Sequence, residues 1–362
     1  MPYLLFFLLF ILPFVVWPYG TSQFELPKVI IFELSSILLL LYAVYQKRFA
    51  FFKSLNPTQL VLFGMIFLLT LYDLLFMPTP VTFFGNSSRL QGVLLLWNLL
   101  VFSLVSSRIP PPKLSSCFYF IILFSIFILS LFIGNQTGRA IATIGEPNAL
   151  ASYIVFLWPF IFFSKPKIRA PVQILCTICV FGVILLSGSR SGLIALAIQI
   201  IFLSFYRFLK FSLRTALIVS ISLIFLACLL PLLERLPYEN RSDIWNTAII
   251  AGSAHPILGA GFGNTEIIIK ETSLKLYDRL RGYYVDSAHN IFLDWWVQAG
   301  AVGLFLFILI IYGSFKNFYQ QKGELEITIL LGLITALSFN PAGVVTLITF
   351  WWTIGRSFVT TK

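Results

Sequence analysis

Charge is what this 362-residue chain has least of. Only 11% of its residues are Asp, Glu, Lys or Arg, against about a quarter in an ordinary soluble domain. With 59% hydrophobic residues and a mean hydropathy of +0.93, no water-soluble fold could hide so much apolar surface. Cysteine is scarce too. The four (Cys117, Cys176, Cys179 and Cys228) all lie inside apolar runs, where small-hydrophobe packing is the default and a disulfide framework is excluded. Cys176 and Cys179 form a C-x-x-C, but no His or second Cys pair accompanies them, which argues against a metal or redox site. Acidic residues number 14 against 25 basic ones, with no D-x-D pair to hold Mg²⁺. A metal-free chemistry with no cofactor is therefore expected. No P-loop occurs, nor a serine nucleophile elbow, and the GAGFGN run (259–264) matches neither phosphate fingerprint in context.

What is present is a succession of apolar runs separated by short polar breaks. A bilayer core about 30 Å thick needs about 20 apolar residues per helix. Spans are expected near 3–18, 28–45, 58–76, 92–107, 117–133, 149–164, 171–187, 191–206, 213–233, 289–313, 325–339 and 342–358. The opening run lacks a basic n-region and an A-x-A-like cleavage site, so it reads as the first span rather than a signal peptide. The fold class is then all-α, a polytopic membrane protein with about 12 transmembrane helices forming a single domain over 1–362.

The net charge of +11 reports topology. With the N-terminus inside, alternate loops carry Lys47, Arg48 and Lys53; Arg108 and Lys113; Lys165, Lys167 and Arg169; Arg207, Lys210 and Arg214; and Lys316 and Lys322. Basic loops mark the cytoplasmic side, so both termini are expected inside. The intervening short loops hold at most one arginine each: Arg89, Arg139 or Arg190. Nucleic acid drops out as a partner. The one large extracytoplasmic loop spans 234–288, and apolar residues at helical spacing in RSDIWNTAIIAGS predict a helix within it.

Candidate chemistry gathers on the outer side. Both histidines, His255 and His289, map there, and histidine is the side chain able to exchange protons near neutrality. His255 precedes Pro256 in a loop, where a turn role is the plainer reading. His289 stands at the mouth of a span beside Asn290, after Asp286 and Ser287. Arg190 occupies a four-residue break flanked by Gly188 and Gly192, a hairpin tip at the membrane surface where an arginine is a functional hypothesis by default. Arginine stays charged and grips phosphate bidentately. Headgroup snorkelling is the competing reading, weightiest for Arg89 and Arg139. Asp294 lies five positions after His289, about 140° round a helix, so it is not expected to orient the imidazole. Trp245, Tyr283, Tyr284, Trp295 and Trp296 serve either as stacking platforms or as interfacial anchors.

The segments at 138–159 (GRAIATIGEPNALASYIVFLWP), 185–196 (LLSGSRSGLIAL), 240–264 (NRSDIWNTAIIAGSAHPILGAGFGN) and 286–307 (DSAHNIFLDWWVQAGAVGLFLF), in that order, resemble the O-antigen ligase and polymerase superfamily. FFGNSSRLQGVLLLW (83–97) is similar to a segment ahead of the core in many ligases. The resemblance implies a GT-C-like fold in the bacterial cytoplasmic membrane with its active site facing outward. It implies an undecaprenyl-pyrophosphate-linked glycan as donor and a lipid or protein as acceptor, in contact with membrane lipid. It assigns the catalytic histidine to His289 and the donor pyrophosphate contacts to Arg190 and Arg241, with Arg139, Arg89, Asn290 and Asp294 as supporting candidates. Two positions depart from the common pattern: Glu146, where many relatives carry Asn, and Gln298, where many carry Glu.

The implied reaction is metal-independent, inverting transfer to an acceptor hydroxyl, of the ligase type that serves a lipid A core. A polysaccharide polymerase and a pilin-type protein O-glycosyltransferase share these motifs. A transporter or lipid flippase is the non-enzyme alternative, but such proteins concentrate charge at the bilayer midplane, whereas here the distinctive charges gather at one face.

Overall fold

The computed structural model describes residues 2–19, 22–47, 56–109, 116–163, 170–233, 241–276, 280 and 283–359. Arg48, Lys53, Lys113, Lys165, Lys167 and Arg169, on which the topology expectation partly rests, lie outside the described residues, as does the start of the large loop at 234–240. Among the described residues every regular element is helical, and β-pairing is limited to a bridge between Gly134 and Ala140.

In chain order the helices are α1 (Pro2–Phe6), prolonged by a π turn (Phe7–Ile11) and a 3-10 turn (Leu12–Phe14), α2 (Glu25–Lys47), α3 (Pro57–Phe76), α4 (Pro80–Phe84) and α5 (Val93–Ser106). There follow α6 (Ser116–Phe132), α7 (Pro147–Phe163), α8 (Ala170–Ser187), α9 (Arg190–Leu203), itself prolonged by a π turn (Ser204–Phe208), and α10 (Leu213–Leu233). The last are α11 (Arg241–Ser253), α12 (Thr265–Leu276), α13 (Ile291–Gln321), α14 (Glu324–Leu337) and α15 (Val344–Ser357).

Helices stand on every stretch where a span is expected, and among the described residues length and apolarity alone mark four as able to cross a membrane: Glu25–Tyr45, Pro57–Phe76, Arg190–Phe208 and Ile291–Gln321. Several others are apolar but shorter. At 1.5 Å per residue, α5, α14 and α15, with 14 residues each, extend only about 21 Å. The apolar runs are longer than these helices because capping glycines, Gly92, Gly323 and Gly343, set their starts. Over the described residues the chain is all-helical, with the apolar helices of a membrane protein.

Burial follows all-round apolarity. α7 and α14 show few polar side chains and are buried on nearly every face, as helices without a polar stripe must be; α15 carries Thr346, Thr349 and Thr353 along one face, and these too are buried. α14 packs between α7 and α9, α15 against α5, α5 against α2, and α8 against α6 and α7. Helix starts are set locally by side-chain caps. Ser189 accepts from Gly192 N at 3.2 Å to open α9, and Asn290 accepts from Phe292 N (2.9 Å) and Leu293 N (3.3 Å) to open α13.

The feature that organises the site end is a break in α13. Gly300 has φ 59° and ψ −160°, a conformation for which a residue without Cβ is suited. The break frees backbone groups on both sides, and the loop after α11 takes them up. Ala260 N and Gly261 N donate to the carbonyls of Val297 and Gln298 (both 2.9 Å), while Ala301 N and Val302 N donate to Pro256 O (2.9 Å) and Ile257 O (3.1 Å). The glycine-rich run is thus a docking strand for a broken helix. Its far end is anchored on α3 and α4, with Phe262 N donating to Asp73 Oδ2 (3.1 Å) and Asn264 Nδ2 to Thr82 Oγ1 (3.2 Å).

Gly300 and Gly313 therefore respond oppositely to a methyl group. A Cβ on Gly300 meets the Ile257 carbonyl and an unfavourable φ, whereas nothing lies within 4 Å of one on Gly313. Gly300→Ala is expected to cost about 1–3 kcal/mol and Gly313→Ala to be neutral or to stabilise by about 0.5–1 kcal/mol, read as opposite shifts in the thermal midpoint of the purified protein.

Candidate active site

The site end is where the loops before α5, α7, α9, α13 and α15 meet. His289 is the last residue before the Asn290 cap, held at φ 52°, in the left-handed region that a non-glycine residue seldom occupies without cause. Two bonds hold the backbone there: His289 N donates to Ser287 Oγ (3.1 Å) and Ala288 N to Asp294 Oδ1 (2.7 Å). Asp294 acts on the turn, not on the imidazole. The carboxylate facing the ring is that of Asp286, whose Oδ1 lies 3.7 Å from His289 Nε2. That is beyond hydrogen-bond length but within reach of an imidazolium, and catalytic contacts are often long before substrate binds.

Arg89 fixes Asp286. Its Nε donates to Asp286 Oδ2 at 2.7 Å and its Nη1 to Glu146 Oε2 at 2.6 Å. One guanidinium thus joins the loop before α5, the loop before α7 and the turn carrying His289. Burial opposes the charge on Arg89, but the two carboxylates outweigh it and hold the guanidinium well above its ordinary pKa. Burial likewise acts to raise Asp286, and His289 together with Arg89 overcomes it, so the carboxyl lies below the usual aspartate range. Asp286 is an ionised partner for the histidine, not a competing base.

Arg139 has a parallel role in the loop before α7. Its Nε donates to Ser187 O (2.7 Å) and its Nη2 to Asn148 Oδ1 (3.2 Å) and Gly188 O (3.4 Å). It clamps the end of α8, where Gly188 turns at φ 58°, and so sets the α8–α9 hairpin. Arg190 is the first residue of α9, exposed at that hairpin.

The α14–α15 turn (338–343) connects these groups. Asn340, 2% exposed, donates from Nδ2 to Ser191 Oγ beside Arg190 and accepts at Oδ1 from Arg241 Nη2 (3.4 Å). The next residues, Pro341 and Ala342, line a polar pocket of about 20 Å³ together with Arg89, Asp286, Ser287 and Asp294. Gln91 Nε2 donates to Ala342 O, and a buried carboxylate, Glu25, accepts from Val344 N at 2.9 Å. Lys28, on the same helix, donates to Thr143 O (2.7 Å) and Ile144 O (3.2 Å). Below the polar pocket lies a largely apolar chamber of about 70 Å³ that shares Gln91, Asp294, Gln298 and Ala342 with it.

Residues 175–308 match the model of the O-antigen ligase family. The match supports the O-antigen ligase superfamily for this chain, and with it a membrane glycan transferase of the ligase or polymerase type. A search of the curated proteins finds no match. The O-antigen ligase stretch runs from α8 into α13 and contains Arg190, Arg241, His289, Asn290 and Asp294. Arg89, Arg139 and Asn340 lie outside it.

Of the residues singled out from sequence, Arg241 is bound to Asn340 of the 338–343 turn, Arg190 precedes the Ser191 that Asn340 also binds, and His289 stands against Asp286, which shares a pocket with the same turn. Arg89 and Arg139 are committed to protein partners, and Asn290 is a helix cap. His255 is exposed in the loop after α11, where its backbone N donates to Gly252 O at 3.0 Å. Sequence reasoning passed over three residues: Asp286 and Glu146 as the partners of Arg89, and Asn340. Asn340 carried one signal, an Asn-Pro pair in a polar break between two apolar runs.

Removing Arg89 leaves two carboxylates, Glu146 and Asp286, without the cation they share. Arg89→Ala is expected to cost about 3–5 kcal/mol of stability. Glu146→Gln, which leaves Asp286 to balance the guanidinium, is expected to cost about 1.5–3 kcal/mol, both read by thermal or denaturant unfolding. Because the Asp286 pKa is lowered on folding, its contribution is complete above the ordinary aspartate value of about 3.9 and decays as the pH falls below that value. The unfolding midpoint should lose its sensitivity to Asp286→Asn in strong acid and keep it at neutral pH.

Proposed function

We propose that the protein is an O-antigen ligase-type glycosyltransferase that moves a glycan from undecaprenyl pyrophosphate to an acceptor hydroxyl on the outer face of the cytoplasmic membrane. The observation that carries the reading is the convergence of the Arg190 hairpin, Arg241 and the His289–Asp286 pair on the turn at 338–343. A phosphate-binding group and a proton acceptor at one membrane face are what transfer from a lipid diphosphate requires.

The acceptor oxygen attacks the anomeric carbon of the donor sugar. As that bond forms, the bond from the carbon to the pyrophosphate oxygen breaks, and the electron pair leaves with the lipid diphosphate. Arg190 and Arg241 neutralise this developing charge, which a fixed guanidinium does without reorganising. His289 takes the acceptor proton, and ionised Asp286 stabilises the imidazolium that results. Attack opposite the leaving group inverts the anomeric centre. No metal, cofactor or nucleotide enters the steps, since the activated donor supplies the driving force.

The basic loops favour both termini in the cytoplasm and the site end outside. The helices too short to cross alone are read as spans within a thinned or laterally packed bundle of about 12, GT-C-like in kind. Polymerase and protein O-glycosyltransferase activities would use the same groups, with only the acceptor different.

The test is mass spectrometry of carrier-linked glycans and surface glycoconjugates from the host with and without the gene. Long chains accumulating on the carrier while a lipid acceptor goes bare support the ligase. Single repeat units accumulating point to a polymerase, a bare protein acceptor to a protein glycosyltransferase, and unchanged pools overturn glycan transfer. His289→Ala is expected to lower transfer about 10²–10⁴-fold at unchanged expression; full activity in that variant removes the histidine from the mechanism.

A further inference from the structure

The five aromatic residues marked as stacking platforms or membrane anchors separate clearly in the fold. Trp245 and Trp295 are 2% and 7% exposed, and Trp295 is stacked on Phe307 with ring centroids 4.7 Å apart. Both belong to the core. Trp296 donates from Nε1 to Ile249 O at 3.2 Å and lies against Gly252, holding α11 to α13. Tyr283 and Tyr284 alone among the five are well exposed, at 64% and 67%.

These two tyrosines border a cleft of about 270 Å³, whose walls also include Glu266, Ile269, Lys270 and Val285. The cleft is many times roomier than the polar pocket lined by Arg89 and Asp286, and it approaches the lower limit of about 300 Å³ for small-molecule sites. It is tied to the candidate active site by covalent neighbours and by hydrogen bonds. Val285 precedes Asp286 directly. Tyr284 Oη donates to Glu266 Oε2 (3.2 Å) and lies in hydrogen-bond contact with the Ser88 hydroxyl (3.1 Å), and Asn86 Nδ2 donates to the same Glu266 oxygen at 2.9 Å. Asn86 and Ser88 belong to the loop that delivers Arg89 to Asp286.

We propose that this cleft is a sugar-binding subsite that seats one pyranose ring of the glycan next to the reacting centre. The inference rests on the glycan-transfer reading above and adds to it the place where a sugar is held. Its chemistry suits a polyhydroxylated ring. An aromatic face carries negative charge density that attracts the polarised C–H bonds of one sugar face. Glu266 and Lys270, one helical turn apart on α12, provide an acceptor and a donor for hydroxyls at the rim. A bilayer anchor needs neither concavity nor a carboxylate–hydroxyl network, and Tyr284 has its hydroxyl engaged in one.

The experiment is saturation-transfer NMR on the full chain in nanodiscs of phosphatidylethanolamine and phosphatidylglycerol, which bring no sugar of their own. The probes are the methyl glycosides of glucose, galactose and N-acetylglucosamine. At least one is expected to show transfer in the native protein, and Tyr283→Ala and Lys270→Ala each to weaken its binding about tenfold. Tyr283→Phe keeps the ring face and is expected to keep binding. Both positions are exposed, so the variants should elute as the native protein does. Addition of lipid-linked glycan extracted from the host then distinguishes two sources of the ring: quenching of the probe signal assigns the cleft to a donor sugar, persistence to an acceptor sugar. Transfer that is absent for every probe, or equal in the native protein and both alanine variants, overturns the subsite and leaves the tyrosines as interface anchors. Because the readout is binding, this result is independent of the glycan-pool measurement, and either reading can fail alone.

Discussion

A helix that stops hydrogen-bonding to itself inside an apolar bundle must find other partners for its backbone, and the break at Gly300 makes that requirement the hinge of this structure. Unsatisfied amides and carbonyls cost several kcal/mol each away from water. The loop at 256–261 answers with four backbone hydrogen bonds, two on each side of the break. In doing so it docks the whole segment after α11 onto α13. The same half-helix that the break isolates, Ile291–Ala299, carries His289 at its start. The position of the histidine relative to α11, and so to Arg241, depends on the loop being seated.

Charge obeys a similar rule at the same end. Arg89, Arg139 and Glu25 lie where solvation is poor, and each is met by specific protein atoms: two carboxylates, two carbonyls with an amide, and a helix N-terminus. Each of these joins segments far apart in sequence. Arg89 binds three loops at once, and Glu25 holds the start of α15 and thereby the turn containing Asn340. Arg190 has a different environment, exposed at a hairpin that Arg139 has already shaped. One arginine builds the hairpin, and the other is presented by it.

Much of this was legible in the amino-acid sequence because apolar runs and glycine or serine breaks are local signals. The run after Asn56-Pro57, the hairpin at Gly188–Gly192 and the helix in RSDIWNTAIIAGS all stand where pattern and capping chemistry place them. The lengths of the crossings were less legible, since hydropathy does not register where a cap ends a helix. Pairings were not legible at all. Nothing in FFGNSSRL indicates that Arg89 meets Glu146, 57 residues on, and Asp286, 197 residues on. Glu146 stood out only as an unusual residue at its position; its reason is electrostatic, the second negative charge that Arg89 requires.

The division of labour among the polar groups follows from what each can tolerate. The base proposed above must change its charge during the reaction, and His289 sits partly exposed beside a carboxylate, in a backbone conformation that two hydrogen bonds maintain. A group that must not change charge is best surrounded, and Arg89 with His289 holds the Asp286 carboxyl below the usual aspartate range. The groups proposed to hold a diphosphate must stay fixed while charge arrives, which is why Asn340 matters though it is neutral: a buried amide ties Arg241 to Ser191, the neighbour of Arg190, without supplying a negative charge to compete with the substrate. A carboxylate at that position would pair with the arginines permanently and occupy the place a phosphate is proposed to take.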